Sequence, residues 1–134
     1  MQLTTGTIVA VADGEKLKLF RNTGQGDEVK LAAMDVPAVE TGNHGSGARH
    51  HSSSANPDHG QQDEDEHSAG VAALLNKQVV SGAIKQLLVI ASPRSLGEMR
   101  KHFSKELTAV LVGELAKDLA GRSIPDIEKS ITSG

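Results

Sequence analysis

A 28-residue segment, residues 41–68, limits what this chain can fold into. It contains no Val, Ile, Leu, Met or Phe, but it holds five of the six histidines of the protein. Glycine, serine, asparagine and charged residues bury too little apolar surface to offset the entropy lost on ordering. We therefore expect one domain over residues 1–134, interrupted by a mobile Gly/Ser/His-rich loop at about residues 40–66. The remaining residues, about a hundred, suffice for one hydrophobic core.

Composition excludes several classes of protein. The chain has no Cys, Trp or Tyr, which rules out disulfide scaffolds and Cys-ligated metal centres and leaves few aromatic platforms for stacking nucleic-acid bases. The N-terminal sequence lacks a basic start, and its apolar run stops at Asp13, so we expect neither a signal peptide nor a membrane span. A cytoplasmic protein with no cofactor, no membrane partner and no DNA partner is the expectation.

The apolar pattern predicts an α/β fold. Residues 7–12, 16–21 and 29–36 read as three antiparallel strands, since turn residues separate them. After the loop, a helix is predicted from about Glu66 to Gly82, a buried strand over 87–91, a long helix through "SPRSLGEMRKHFSKELTAVLV", a strand over 114–119 and a helix capped by Ser123. This order predicts a mixed five-stranded sheet with helices on both faces, which is the ribonuclease H-like arrangement.

A metal-dependent nuclease of this fold would need converging carboxylates. Asp13 can supply one at the end of the first strand, but Ser92 follows the fourth strand where another acid is needed. The acids of residues 63–66 are contiguous rather than spaced to converge. Asp13 is better interpreted as the turn residue of "DGE".

Positive charge is concentrated after the fourth strand. Four cations occupy residues 94–105 with only Glu98 between them, and they are Arg94, Arg100, Lys101 and Lys105. On one helix these residues would offer phosphate of ribosomal or transfer RNA several contacts together. The alternative is an ordinary solvated helix face, balanced by Glu98 and Glu106.

The histidines raise the alternative of a metal-binding protein. His44, His50, His51, His59 and His67 are spaced unlike any zinc-finger or HExxH pattern. If the helix began early, Asp63 and His67 would lie one turn apart and could share a metal or form an exposed ionic pair. We assign no metal, and the weak candidates are His50, His51, His59, Asp63 and His67.

Three stretches together carry a resemblance to a known family. The chain combines "VADGEKLKLF", "ASPRSLGEMRK" and "KDL" followed by "IPDIE", and in these it resembles the bacterial host attachment family, described as proteins required for attachment to host cells. That family is similar to bacterial relatives of archaeal and eukaryotic peptide-chain release factors, particularly their ribonuclease H-like middle domain. The resemblance implies association with the ribosome or with tRNA. Because we expect no signal peptide, we expect any role in attachment to be indirect.

The resemblance also gives the loop a position. In the release-factor middle domain, a loop before a long helix carries a Gly-Gly-Gln tip that promotes peptidyl-tRNA hydrolysis. The nearest stretch here is "HGQQ", His59, Gly60, Gln61 and Gln62, in which a histidine stands in place of the first glycine. We therefore expect a protein that acts by binding rather than by catalysis, with peptidyl-tRNA hydrolysis as a further alternative.

Overall fold

The computed structural model describes residues 3–39 and 59–133, with side chains from residue 63 onward in the second stretch. It has five strands and four helices in these residues. Along the chain they are β1 (Ile8–Ala12), β2 (Leu17–Asn22), β3 (Leu31–Met34), α1 (His59–Val80), β4 (Leu87–Ala91), α2 (Pro93–Arg100), α3 (Lys105–Val110), β5 (Leu111–Ala116) and α4 (Ile124–Ser133). Within these residues, no helix combines the length and the apolarity needed to cross a lipid bilayer.

The strands form one mixed sheet in the order β3-β2-β1-β4-β5. The pairs β1–β2 and β2–β3 are antiparallel, whereas β1–β4 and β4–β5 are parallel. Strands β1 and β4 lie at the centre and are buried along their whole length. Their β-branched and aliphatic residues suit a strand that is covered on both faces. The predicted α/β class and the mixed five-stranded sheet are thus confirmed.

Each face of the sheet has its own hydrophobic cluster. On one face, Ala10 and Val89 pack with Leu75 of α1, Leu96 of α2 and Leu107 of α3. On the other face, residues of β1 and β4 pack with Ile127 and Ile131 of α4. Because successive residues of a strand point to opposite faces, the uninterrupted apolar runs of β1 and β4 supply both clusters. Helices therefore cover both faces, as the sequence predicted.

Local signals set several boundaries where the sequence placed them. Asp13 Oδ1 accepts hydrogen bonds from the backbone N–H of Glu15 and of Lys16, at 2.8 and 2.7 Å, which closes the β1–β2 turn. Gly82 ends α1 with a φ of 88°, a left-handed conformation in which glycine has no steric penalty. Ser123 Oγ accepts from the N–H of Asp126 at the start of α4.

Helix α1 begins earlier than predicted. It starts at His59, seven residues before the expected Glu66. Residues 59–66 are polar, so the apolar spacing that marked the helix in the sequence starts only where α1 reaches the core. The predicted loop therefore cannot extend to residue 66, and its part over residues 40–58 lies outside the described residues.

The long helix predicted after β4 is two helices. Helix α2 begins at Pro93 and ends at Arg100, and α3 begins at Lys105 after the cap residue Ser104. Asn76 of α1 explains the break, because its amide donates to His102 O at 2.8 Å and accepts from the N–H of Ser104 at 2.9 Å. These bonds replace helical ones. The last strand also begins three residues before its predicted start.

Candidate functional site

The basic residues predicted as an RNA-binding face surround α2. Pro93 occupies the first helical turn directly after β4, and its fixed φ suits that position. Arg94 follows, and its guanidinium contacts Asp65 of α1 at 3.1 Å. The Arg94 side chain remains 58% exposed. An external anion can therefore reach it, although a carboxylate of this protein already neutralises its charge.

Arg100 lies at the other end of α2 and contacts the sheet. Its Nε and Nη2 both donate to Glu114 Oε1 of β5, at 3.0 and 2.5 Å. This hydrogen bonding and the charge of Glu114 raise the pKa of the Arg100 guanidinium above its ordinary value. Arg100 therefore carries a permanent positive charge that is compensated within the fold.

Lys101 and Lys105 belong to different local structures. Lys101 Nζ lies 3.1 Å from Glu98 Oε1 in an exposed pair. Lys105 is exposed at the start of α3, and no ionic partner for it appears among the described residues. Because α2 ends at Arg100 and Lys105 begins α3, the prediction that the four cations lie on one helix was wrong. The four cations share one region, and three of them pair with different carboxylates.

Three of these four cations are thus neutralised by carboxylates. Exposed ion pairs contribute little to stability, so an RNA phosphate can compete with these carboxylates for the cations. The summed charge of the four cations with Asp65, Glu98 and Glu114 is only +1. Such a face can contact RNA, but it attracts RNA weakly over distance.

The residues weighed for nuclease chemistry do not form a site. Asp13 is the turn residue, as interpreted from the sequence, and Ser92 precedes the first turn of α2. Among the side chains that the structure describes, no three His, Asp or Glu residues come together as a metal site.

The structure describes only some of the residues considered as metal ligands. His44, His50 and His51 lie outside the described residues. Asp63 and His67 are one turn apart in α1, as the early start of that helix requires. His67 Nε2 is buried and has no hydrogen-bond partner within the described part of the chain.

The "HGQQ" stretch belongs to a helix rather than to a preceding loop. His59, Gly60, Gln61 and Gln62 form the first residues of α1, and only their backbone is described. The following part of α1 contacts the β1–β2 turn. A Cβ built on Gly14 of that turn would lie 2.7 Å from Glu64 Cγ. A side chain at position 14 would require the Glu64 side chain to move.

Sequence reasoning missed two further cations. Arg21 of β2 and Lys85, which precedes β4, line one polar cavity at the opposite edge of the sheet. They are 64 residues apart in sequence, and neither lies in a charged run. Only the antiparallel pairing of β2 and the parallel pairing of β4 with β1 bring them together.

Comparison with known families gives a match over most of the chain. The family model described as bacterial archaeo-eukaryotic release factor family 12 matches residues 6–131. The match covers all five strands and most of α4. No match was found among curated proteins. The release-factor part of the resemblance seen in the sequence is therefore confirmed.

Proposed function

Because this chain belongs to bacterial archaeo-eukaryotic release factor family 12, we propose that it acts by binding the ribosome or its RNA, as a translation-associated factor. The match over residues 6–131 carries this proposal, since it includes the whole sheet rather than one motif. The family description names release factors, which act in translation, and translation takes place in the cytoplasm. We therefore propose a cytoplasmic protein.

The sheet order supports a ribonuclease H-like domain. The antiparallel strands β2 and β3 lie on one side of β1, and the parallel strands β4 and β5, reached by helical crossovers, lie on the other. This is the arrangement expected for the middle domain of release factors from the resemblance in the sequence. Fold alone does not assign chemistry, so the functional residues must be argued separately.

We propose binding rather than peptidyl-tRNA hydrolysis. The sequence contains no Gly-Gly-Gln triplet, and the closest stretch starts with His59. A histidine cannot adopt the backbone angles open to glycine without strain. The stretch also belongs to the first turn of α1, where helical backbone restricts the close approach to a substrate that a loop would permit.

The α2 face is the proposed RNA contact. Arg94, Arg100, Lys101 and Lys105 are exposed, and phosphate oxygens can take the place of the carboxylates that now bond three of them. Because only weak exposed pairs must be exchanged, the free energy of binding is modest and depends on salt. A role in attachment to host cells would follow indirectly, through synthesis of other proteins.

Ribosome co-sedimentation across a salt series tests this function. We expect the full chain to sediment with ribosomes at low salt and to be released as salt rises, because phosphate contacts release counterions. Arg100→Glu/Lys101→Glu should weaken sedimentation by reversing two charges of the face. The matched control is Arg122→Glu/Lys129→Glu, which makes the same charge change at two exposed positions near and within α4.

A second variant tests the segment before α1. Residues 41–56 are replaced by a short Gly/Ser linker, and the replacement stops before His59 so that α1 stays complete. Weaker sedimentation of this variant would make the segment part of the contact. Failure of the full chain to sediment at any salt concentration contradicts the translation role. Equal losses in the α2-face variant and its control contradict the α2 face as the contact.

A further inference from the structure

A polar cavity lies at the amino ends of β1 and β4, on the opposite edge of the sheet from the start of α2. Its volume is about 620 Å³. It is bounded by the residues before β1, the end of β2 and the turn between α1 and β4. The lining residues are Thr5, Gly6, Arg21, Gly82, Ala83, Lys85 and Gln86. No residue of this lining carries a negative charge.

The two cations of the cavity are uncompensated. Arg21 and Lys85 are both exposed, and neither has an ion pair or a side-chain hydrogen bond within residues 3–39 and 63–133. This distinguishes them from Arg94, Arg100 and Lys101, which bond carboxylates. Two unpaired cations at one cavity produce a positive potential that an anion can neutralise.

Gln86 adds an oriented donor. Its Oε1 accepts hydrogen bonds from the hydroxyls of Thr4 and Thr7. Thr7 is completely buried, and the two threonine hydroxyls lie 3.0 Å apart. Because the amide oxygen is held by these hydroxyls, the amide nitrogen keeps its two N–H groups for a ligand. Arg21, Lys85 and Gln86 therefore offer the cavity a guanidinium, an ammonium and an amide NH2 group as hydrogen-bond donors.

The walls leave room for a ligand to approach. Gly6 and Gly82 have φ values of 94° and 88°, and a Cβ built on either would contact nothing within 4 Å. The end of α1 presents little negative charge, since the carbonyls of Lys77, Gln78 and Val79 accept hydrogen bonds from residues 81–84. Helix-end carbonyls that are already bonded repel an anion less than free ones do.

We propose that this cavity binds a phosphate group through Arg21, Lys85 and the side-chain amide of Gln86. A tetrahedral oxyanion only accepts hydrogen bonds, so it suits the donors of Arg21, Lys85 and Gln86, and a guanidinium can bond two of its oxygens together. The phosphate can come from an RNA backbone or from a small phosphorylated compound. The inference does not depend on the proposed function, because it rests on the cavity alone.

NMR titration of the full chain tests the site with two probes. Inorganic phosphate represents a free phosphate group, and a short single-stranded RNA represents a phosphodiester backbone. We expect phosphate to shift the backbone amide signals of Gly6 and Gly82 and the side-chain amide of Gln86. Arg21→Gln/Lys85→Gln should lower affinity at least about tenfold, because charge-assisted hydrogen bonds are the strong ones.

Two further variants make the test specific. Arg122→Gln/Lys129→Gln removes the same charges elsewhere and should leave the affinity for phosphate within about twofold, because a screened remote charge acts weakly. Gln86→Glu keeps an acceptor for Thr4 and Thr7 but replaces the amide nitrogen by a charged oxygen, so it should abolish binding.

The binding measurements distinguish an RNA backbone from a small phosphorylated compound as the source of the phosphate. If RNA binds at the cavity, Arg21→Gln/Lys85→Gln should reduce the slope of log affinity against log salt by about 1.4, for two lost contacts with a single strand. Phosphate binding without RNA binding would support a small phosphorylated ligand. The proposal is overturned if neither probe shifts the cavity signals, or if the control variant loses as much affinity as the cavity variant.

Discussion

At the scale of single residues, Asn22 is a polar side chain of the interior that makes four hydrogen bonds. It is fully buried at the end of β2. Its amide nitrogen donates to the carbonyls of Leu3 and Thr4, both at 3.1 Å. Its Oδ1 accepts from the N–H groups of Gly24 and Lys30, both at 3.0 Å. These four bonds use its full capacity and tie the residues before β1 to the β2–β3 turn.

We predict that Asn22→Asp destabilises the protein by about 3 kcal/mol at neutral pH. The new carboxylate cannot donate to either carbonyl, and it places a charge in a buried site. Protonating that carboxyl restores one donor, so the loss should become smaller as the pH falls toward about 4. Urea unfolding at both pH values measures this.

The control for this prediction is Gln25→Glu, which adds the same charge on an exposed residue of the adjacent turn. It should change stability by less than about 0.5 kcal/mol. If the two variants unfold at similar urea concentrations, the Asn22 contacts contribute little, and the residues before β1 are held by Leu3 burial instead.

At the scale of elements, the break between α2 and α3 depends on Asn76. We predict that Asn76→Ala costs about 1–2 kcal/mol, because the His102 carbonyl and the Ser104 N–H lose their partner. The neighbouring exposed residue provides the control, and Lys77→Ala should stay within about 0.5 kcal/mol. Thermal or urea unfolding gives both values. An equal effect of the two substitutions would mean that Ser104 capping alone maintains the break.

Elements that the sequence predicted well are those determined by burial alone. Strand β4 was predicted with its observed bounds because "LLVIA" is buried on both faces. Leu96, Met99 and Leu107 lie at helical spacing within the predicted long helix, and all three are buried. The break among them was missed because Asn76, the residue responsible, is 28 positions away from Ser104. Periodicity reports the face of a helix, but it does not report where another element interrupts it.

In the candidate sites, too, the sequence predicted local features better than contacts between distant elements. The sequence located the cations of residues 94–105 and one of their partners, since Glu98 pairs with Lys101 as expected. Glu106 was considered as a balancing charge, whereas the structure supplies Asp65 from α1 and Glu114 from β5. Such partners depend on tertiary packing, which one sequence pattern cannot specify. Arg21 and Lys85 left no pattern at all, because sheet topology alone brings them to one cavity.

At the scale of the whole molecule, both hydrophobic clusters contain residues from before position 40 and from after position 58. One face combines Ala10 and Leu19 with Leu75 and Val89. The other combines Val9 and Phe20 with Ile90 and Ile127. Five register pairs join β1 to β4 across this division. Neither part of the chain can bury its apolar surface without the other.

That central β1–β4 pairing predicts fragment complementation. Two polypeptides, residues 1–48 and 49–134, should assemble when co-expressed, and neither should fold by itself. Co-purification through a tag on one fragment, with the circular dichroism of the intact protein, would demonstrate assembly, and recovery of the tagged fragment alone would contradict it. The chain segment that joins the two fragments would then act chiefly as a tether that raises their effective concentration. A reporter could therefore be built from this fold, in which the two fragments assemble when the proteins fused to them meet.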